Sequence, residues 1–390
     1  MITRNSVEGI YPVTTLDKIV NFLDSKRRPV TESERKAGPY PYYGANGVQG
    51  TIDGYIFDEP LVLLAEDGGH FDDPERGIAY RISGKTWVNN HAHVLQPKPG
   101  LDLAFLCRVL ENYDVKPFVT GTTRGKLTKA GASGILIPMP SLPEQRRIAA
   151  ILDQADALRA KRREALAQLD SLTQSIFIEM FGDPVVNDRA WPLVAVSDFV
   201  AGFESGKSIV ADDEDESDSP YRVLKISAVT SLEYKPEQSK AIPSDYTPPA
   251  SHIVRKGDLL FSRANTTELI GATAYVNETP DNLLLPDKLW RFVWFQKPRA
   301  APLYVRHLFQ QSKFRHEIGM RASGSSGSMQ NISQPKVLSI QVGHPPFNLQ
   351  QTFSTRVETI EALKSSHRAA LTALDTLFAS LQHRAFQGEL

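Results

Sequence analysis

The chain has a single cysteine, Cys107, among 390 residues. No internal disulfide can form, and a reducing, cytoplasmic location is expected. Cys107 lies in the apolar run Leu101–Leu110 and reads as a small buried hydrophobe rather than a nucleophile. No stretch approaches the roughly eighteen consecutive apolar residues of a membrane span, and Met1 to Glu8 lacks the apolar core of a signal peptide. Net charge is scarce too: 44 Lys+Arg stand against 45 Asp+Glu, giving −1. That excludes a polycation that binds through bulk charge. With 41% hydrophobic and 23% charged residues the composition is that of a soluble globular protein, long enough for two or three cores.

Catalytic signatures are missing as well. There is no P-loop, no paired-carboxylate nuclease pattern and no glycine-rich adenosylmethionine loop after a strand. His344-Pro345-Pro346-Phe347 resembles the tetrapeptide that holds the target amine in amino-methyltransferases, but its first residue cannot supply the side-chain carbonyl. Proline there reads as punctuation before a helix. His91-Ala92-His93 has no further His/Cys cluster to complete a metal site. Gly324-Ser325-Ser326-Gly327 has the wrong spacing for a nucleophile elbow. The chain reads as non-catalytic, with no metal of its own.

What is present is a repeat. Leu142-Pro143-Glu144-Gln145-Arg146-Arg147-Ile148 opens a long helical stretch that runs to Leu169-Asp170-Ser171-Leu172 and Phe181-Gly182. At an offset of 205 stand Phe347-Asn348-Leu349-Gln350, Leu374-Asp375-Thr376-Leu377 and Phe386. A second echo, at offset 180, sets Tyr11-Pro12 on Trp191-Pro192 and Leu16–Val20 on Val196–Val200. So long a period marks a duplicated module rather than a solenoid, whose units run about 20–50 residues. Four segments follow: a globular part over 1–140, a helix over 141–182, a second globular part over 183–345 and a second helix over 346–390. Turn signals and short apolar runs, Leu61–Ala65 and Asp258–Phe261 among them, make each globular part a small mixed α/β domain. Leu101–Asn112 and Pro302–Gly319 read as their helices. The fold class is α+β.

In the long helices, apolar or small residues fall at 148, 151, 155, 158, 165, 169, 172 and 176, with Arg162 at the register position between the two groups. The second helix carries Phe353, Arg356, Ile360, Leu363, Ala370, Leu374, Leu377 and Leu381, with His367 at its centre. Antiparallel packing with midpoints together brings Arg162 to His367, a polar layer that fixes register. The plain alternative is that both side chains snorkel from an imperfect seam. About 38 residues at ~1.5 Å each make a spacer of roughly 57 Å.

Two stretches free of acid occupy matching places before the helices. One carries Lys116, Arg124, Lys126 and Lys129; the other runs from Lys288 through Arg291, Lys297, Arg299, Arg306 and Lys313 to Arg315. The loops Thr120–Thr128 and Ala322–Ser333 also correspond, Leu127 on Ile332 and Thr128 on Ser333. Gly, Ser, Thr, Gln and basic residues in a loop can meet phosphates and base edges, although a solvated surface loop has the same composition. Two such loops would read two patches of one long ligand, with DNA the natural candidate.

These residues resemble the specificity (S) subunits of type I restriction–modification systems. The order globular–helix–globular–helix carries the resemblance, with the Leu142–Ile148 entry, Tyr42-Tyr43-Gly44-Ala45-Asn46-Gly47 and Gly257-Asp258-Leu259-Leu260-Phe261-Ser262-Arg263. The second helix entry departs from the pattern, lacking the Pro-Glu pair. The resemblance implies two target recognition domains, each reading half of a bipartite asymmetric DNA site, separated by a pseudo-two-fold antiparallel coiled coil. It implies docking of two methyltransferase (modification) subunits, with restriction/translocase subunits in the full complex. S-adenosylmethionine, ATP and Mg²⁺ would belong to those partners. Candidate DNA contacts are Asn46, Arg124, Lys126 and Lys129 in the first domain and Lys207, Arg263, Asn265, Arg321, Ser325 and Gln330 in the second. The rival readings are a coiled-coil adaptor without DNA specificity and a self-sufficient DNA methyltransferase.

Overall fold

Leu61–Ala65 is apolar at every position and fully buried, as a strand covered on both faces must be. In this computed structural model, which describes residues 10–73, 76–121, 125–209, 220–326 and 329–390, it lies inside a four-stranded antiparallel sheet. The strand order is Val20–Phe22, Ala92–Pro97, Leu61–Ala65, Ala79–Ile82. The second globular part builds the same order from other residues: Gly202–Ser205, Leu289–Val293, Leu259–Ser262, Thr273–Tyr275. Each part adds a second sheet with one parallel pair, four-stranded in the first part and three-stranded in the second. That pair is Tyr40–Gly44 with Lys85–Val88 in one and Arg222–Leu224 with Leu283–Leu284 in the other.

The chain divides into two compact units. One holds residues 1–164 with 367–390, the other 165–366, so each takes one globular part and a segment of both long helices. The two sequence echoes are two ends of one device. Val13–Thr15 pairs antiparallel with Leu136–Pro138, and Leu193–Ala195 with Gln341–Gly343. Leu16 N–H then donates to Ile135 O at 2.9 Å and Val196 N–H to Ile340 O at 3.0 Å. Each globular part is thereby closed by a strand just upstream of its long helix.

The helix Leu103–Leu110 is capped by Asp102, whose side chain accepts from Phe105 N–H. In the second part the expected helix Pro302–Gly319 is broken into Pro302–Gln310 and Ser312–Arg321. Gln311 is extended (φ −63, ψ 134) and its side chain donates back to His307 O, ending one helix and starting the next.

The long helices span Leu142–Phe181 and Phe347–Gln387. In the first unit Arg147 Nη2 meets Leu390 O at 2.7 Å, Arg159 Nε meets Asp375 at 2.6 Å, and Arg162 Nη1 stands 3.2 Å from His367 Nδ1. Partner numbers fall as the helix advances, so the segments are antiparallel. In the second unit Lys364 Nζ sits 2.5 Å from Asp170, and Arg356 lies on Met180, in the same sense.

The expected seam is only half closed. Leu158, Leu172, Leu363 and Leu377 are 46–49% exposed. The deeply buried stripe is Gln145, Ile148, Leu152 and Ala155, which packs with Phe105 and Leu106 of the globular part and with Phe386. Two helices alone cannot enclose their contact line, so the wider apolar face turns to the domain. In the second unit Phe177, Phe181, Phe353 and Tyr304 form the matching aromatic cluster, with ring centroids 4.9 to 5.7 Å apart.

A buried glutamine fastens each long helix at its entry. Gln145 accepts from Asp102 N–H at 2.8 Å and donates to Pro140 O and Gly100 O at 3.0 and 3.1 Å. Gln350, 205 residues on, accepts from Ala301 N–H at 3.0 Å and donates to Pro345 O at 2.9 Å. Both Asp102 and Ala301 are N-caps of the globular helix. Leaving such buried backbone groups unpaired costs about 1–3 kcal/mol each. The two helix entries thus share a function although their flanking residues differ.

Candidate nucleic-acid interface

In the first unit three loops meet. The turn after Tyr40–Gly44 needs Gly47 at φ +101, a left-handed conformation that glycine adopts freely, and it lifts Asn46 to the surface. Asn46 Nδ2 donates to Gly68 O at 2.9 Å, which ties the turn to the loop following Leu61–Ala65. Leu127 N–H donates to Glu66 O at 2.7 Å, joining that loop to the hairpin Val119–Thr120/Lys126–Leu127. Asn46 and Lys126 therefore share one loop cluster. Lys129, exposed in the first turn of the next helix, has its ammonium 5.3 Å from the centre of the Phe22 ring. Arg124 lies outside the described residues.

Lys126 is not an idle cation. Its Nζ is 3.1 Å from Glu66, which also takes Arg27 Nη1 at 2.6 Å. Behind them His93, 1% exposed, has Nδ1 2.7 Å from Asp24 Oδ2 and Nε2 2.8 Å from Leu127 O. Burial alone would raise the carboxyls of Asp24 and Glu66. Hydrogen bonds and charge from His93 and Arg27, joined by the Val94 N–H at Asp24 and by Lys126 at Glu66, outweigh it and hold both below the ordinary range. Asp24, Glu66 and His93 have the donor set of a metal site. Yet both His93 nitrogens already face oxygen, and Arg27 and Lys126 balance the carboxylates, so the group is an ion-pair network bracing the hairpin. Asp24 with Arg27, Glu66, His93 and Lys126 come from four separate stretches of the sequence, and no local pattern announces them together. His91 turns instead to Asp67, 2.5 Å away.

In the second unit the corresponding loop is a three-stranded sheet, Ala264–Asn265 beside Met329–Asn331 beside Ser323–Ser326. Asn265 and Gln330 are direct cross-strand partners, and Ile332 N–H donates to Arg263 O at 3.0 Å, as Leu127 does to Glu66. Leu127 and Ile332 are both buried, and Thr128 and Ser333 both stand at the N-cap position of the next helix, where the Thr128 side chain accepts from Gly131 N–H. Asn265 Oδ1 accepts from Thr266 N–H at 2.9 Å. Arg263 Nε donates to Asp287 O at 2.8 Å, and Arg321 is paired with Glu317. Lys207 is exposed just beyond Gly202–Ser205, on the far side of residues 285–288 from Arg263. Ser325 belongs to the outer strand. Met329, within this sheet, and Met320, in the helix just before it, are 43% and 70% exposed, apolar groups that polar composition does not mark.

In the acid-free stretch from Lys288 to Arg315, Lys288, Lys297 and Arg299 are exposed, while three other cations are paired or buried. Arg291 is engaged by Glu204 at 2.7 Å and Asp258 at 3.4 Å, Lys313 by Asp183 at 2.9 Å, and Arg306 is buried. The acids that neutralise these cations come from elsewhere in the chain, where a linear scan does not see them.

The motifs set aside on sequence also have places. His344 stacks on Phe199 with centroids 4.7 Å apart, and its main chain pairs with Pro192 O just as Met139 does with Pro12 O. Burial pushes the Cys107 thiol up to about 12, so no thiolate forms at neutral pH. No helix among the described residues is long and apolar enough to cross a membrane.

Residues 11–168 match the family described as the type I restriction modification DNA specificity domain. The chain is 29% identical over 360 residues to a Haemophilus influenzae protein assigned as a type I restriction enzyme specificity subunit, covering 90% of this chain and 88% of that protein. It is 25% identical over 421 residues to the EcoKI specificity subunit of Escherichia coli, covering 98% and 89%. Its fold is that of the type I restriction–modification S subunit from M. genitalium, with TM-score 0.60, 14% identity and 97% and 96% of the two chains covered.

Proposed function

We propose that the chain is a specificity subunit of a type I restriction–modification system and that each globular part reads one half of a bipartite, asymmetric DNA site. The observation that carries this is the contrast within the repeat. One sheet order is built twice, yet its loops carry different side chains: Asn46 and Lys126 in one, the Asn265–Gln330 pair in the other. Equal scaffolds with unequal loops suit one duplex read at two different sequences.

The long helices support docking of two modification subunits. Their half-exposed leucines recur at the offset of 205, Leu158 with Leu363 and Leu172 with Leu377. Each unit therefore shows two of them, Leu158 and Leu377 in one and Leu172 and Leu363 in the other. Catalysis, with S-adenosylmethionine, ATP and Mg²⁺, is assigned to the partner subunits, and restriction subunits complete the assembly.

Methylome sequencing of cells with and without this chain tests the reading. A bipartite methylated motif is expected to vanish with the chain, and an unchanged methylome would favour the adaptor. On the assembled complex, Lys126→Ala is expected to weaken binding of all duplexes alike and to flatten the plot of log K against log salt by about one unit. A change of sequence preference instead would make Lys126 a base contact.

A further inference from the structure

Beside the Asn46-Gly47 turn the first unit has an open groove of about 650 Å³. Its walls include Tyr43, Asn46, Val48, Ala79 and Tyr80, and no carboxylate lines it among the described residues. Its two basic side chains, His70 and Arg76, stand 3.4 Å from each other, and Arg76 is paired with Asp73 at 3.4 Å. Tyr80 spends its hydroxyl on Gly44 O, and its ring lies 5.9 Å from that of Tyr43. Free charge is therefore not what this groove offers. Val48 faces Tyr43 across the hairpin and is 58% exposed. A lone exposed valine is ordinary surface, but this one stands two residues from Asn46 on the wall of the same groove.

The two side chains have complementary chemistry. Asn46 Nδ2 gives one N–H to Gly68 O at 2.9 Å. A carbonyl can only accept, so this bond fixes which end of the amide is nitrogen and pins the exposed side chain. The second N–H and Oδ1 have no partner among the described residues. A donor and an acceptor thus stand side by side, the match for the N7 acceptor and N6 amino group of adenine in the major groove. The apolar group displayed in that groove is the 5-methyl of thymine, the partner of adenine. Val48 carries only a short branched side chain on a strand, unlike the longer wedges that enter between base steps.

We propose that Asn46 and Val48 together read one A·T pair, the amide taking the adenine edge and the isopropyl group the thymine methyl. The inference rests on the DNA-reading function above and names the base pair that this turn selects. Val48 becomes a specificity-determining residue through its apolar surface alone.

The test uses the full chain assembled with its modification subunits, on duplexes carrying the motif that methylome sequencing identifies. Each thymine of the motif is replaced in turn by deoxyuridine, which removes the methyl group and keeps every hydrogen-bonding group. One replacement should lower the affinity of the wild-type complex about fourfold, the effect of withdrawing one methyl group from contact. Val48→Ala should bind that duplex and its thymine parent alike, at an unchanged melting temperature. Asn46→Ala also loses the bond to Gly68, so its readout is which base pair loses discrimination. That should be the same pair, by about tenfold. Tolerance of deoxyuridine at every position by the wild-type complex overturns the proposal. So does a deoxyuridine profile that Val48→Ala leaves unchanged, or an Asn46→Ala effect at a different pair. A wild-type complex with no sequence preference at all overturns the DNA reading itself, which separates the two failures.

Discussion

Arg108→Met should destabilise the first unit by about 3–5 kcal/mol, the cost of breaking a buried ion pair from one side. The Arg108 side chain is 7% exposed and shares its guanidinium among Glu111, Asp153 and Asp156. Most of the loss falls on Glu111. Burial already raises its carboxyl above the ordinary range, with Arg108 the main opposing influence. Asp153 keeps Arg81 at 2.9 Å, and Asp156 and Asp153 are over one-third exposed, so water screens them. Urea unfolding of the full chain measures the effect. The companion Arg108→Met/Glu111→Leu should recover most of it, since the stranded carboxylate is removed. Equal instability of the two variants would place the cost in lost packing against Phe378 rather than in charge.

Acid should weaken the second unit earlier than the first. Burial, then Arg306 and Lys364, depress the His307 pKa well below 6.5, and burial lowers that of His344 in the same direction. Both are neutral when folded, while an unfolded histidine takes a proton near 6.5. The unfolded state therefore binds more protons as pH drops below 6.5. The stability contribution is complete above that pH and is lost as pH falls toward the folded pKa. The slope per histidine is at most about 1.4 kcal/mol per pH unit. Asp24, Glu66 and Asp153 of the first unit have lowered pKa values, so their contribution holds above the unfolded values of 3.8 to 4.5 and fades only below them. Between pH 6.5 and 5 the two effects separate. Amide protection factors in Pro302–Gln310, corrected for intrinsic exchange, should fall over that range in the wild-type chain and much less in His307→Phe. Identical pH profiles would mean that His307 is charged in the fold.

The sequence disclosed the register because a period of seven survives in any aqueous helix. Arg162 and His367 were legible as a pair through their midpoint positions alone. The half-exposure of Leu158 and Leu172 was not legible, because periodicity marks an apolar face without saying whether a helix or a domain covers it. The glutamines at 145 and 350 were visible as a shared letter, but their meaning needs Asp102 and Ala301, which approach only in the fold. Loop chemistry was legible where it is local, as in the Asn46-Gly47 turn. It failed for Arg291 and Lys313 in the stretch from Lys288 to Arg315, which are answered by Glu204, Asp258 and Asp183 from distant strands and turns. The bracing of Lys126 by Glu66 was hidden for the same reason.

The division of the chain into units also sets an order of events at the ribosome. The second unit is a continuous stretch, residues 165–366, and can close as soon as that length has emerged. The first begins earlier but needs Phe378, Gln382, Ala385 and Phe386 to cover its core, and these come after every residue of the second. The part translated first is therefore the part completed last. Until then its apolar face on Ile148 and Leu152 stays open to chaperones, and truncation within the last helix would strand the N-terminal domain while leaving the other intact.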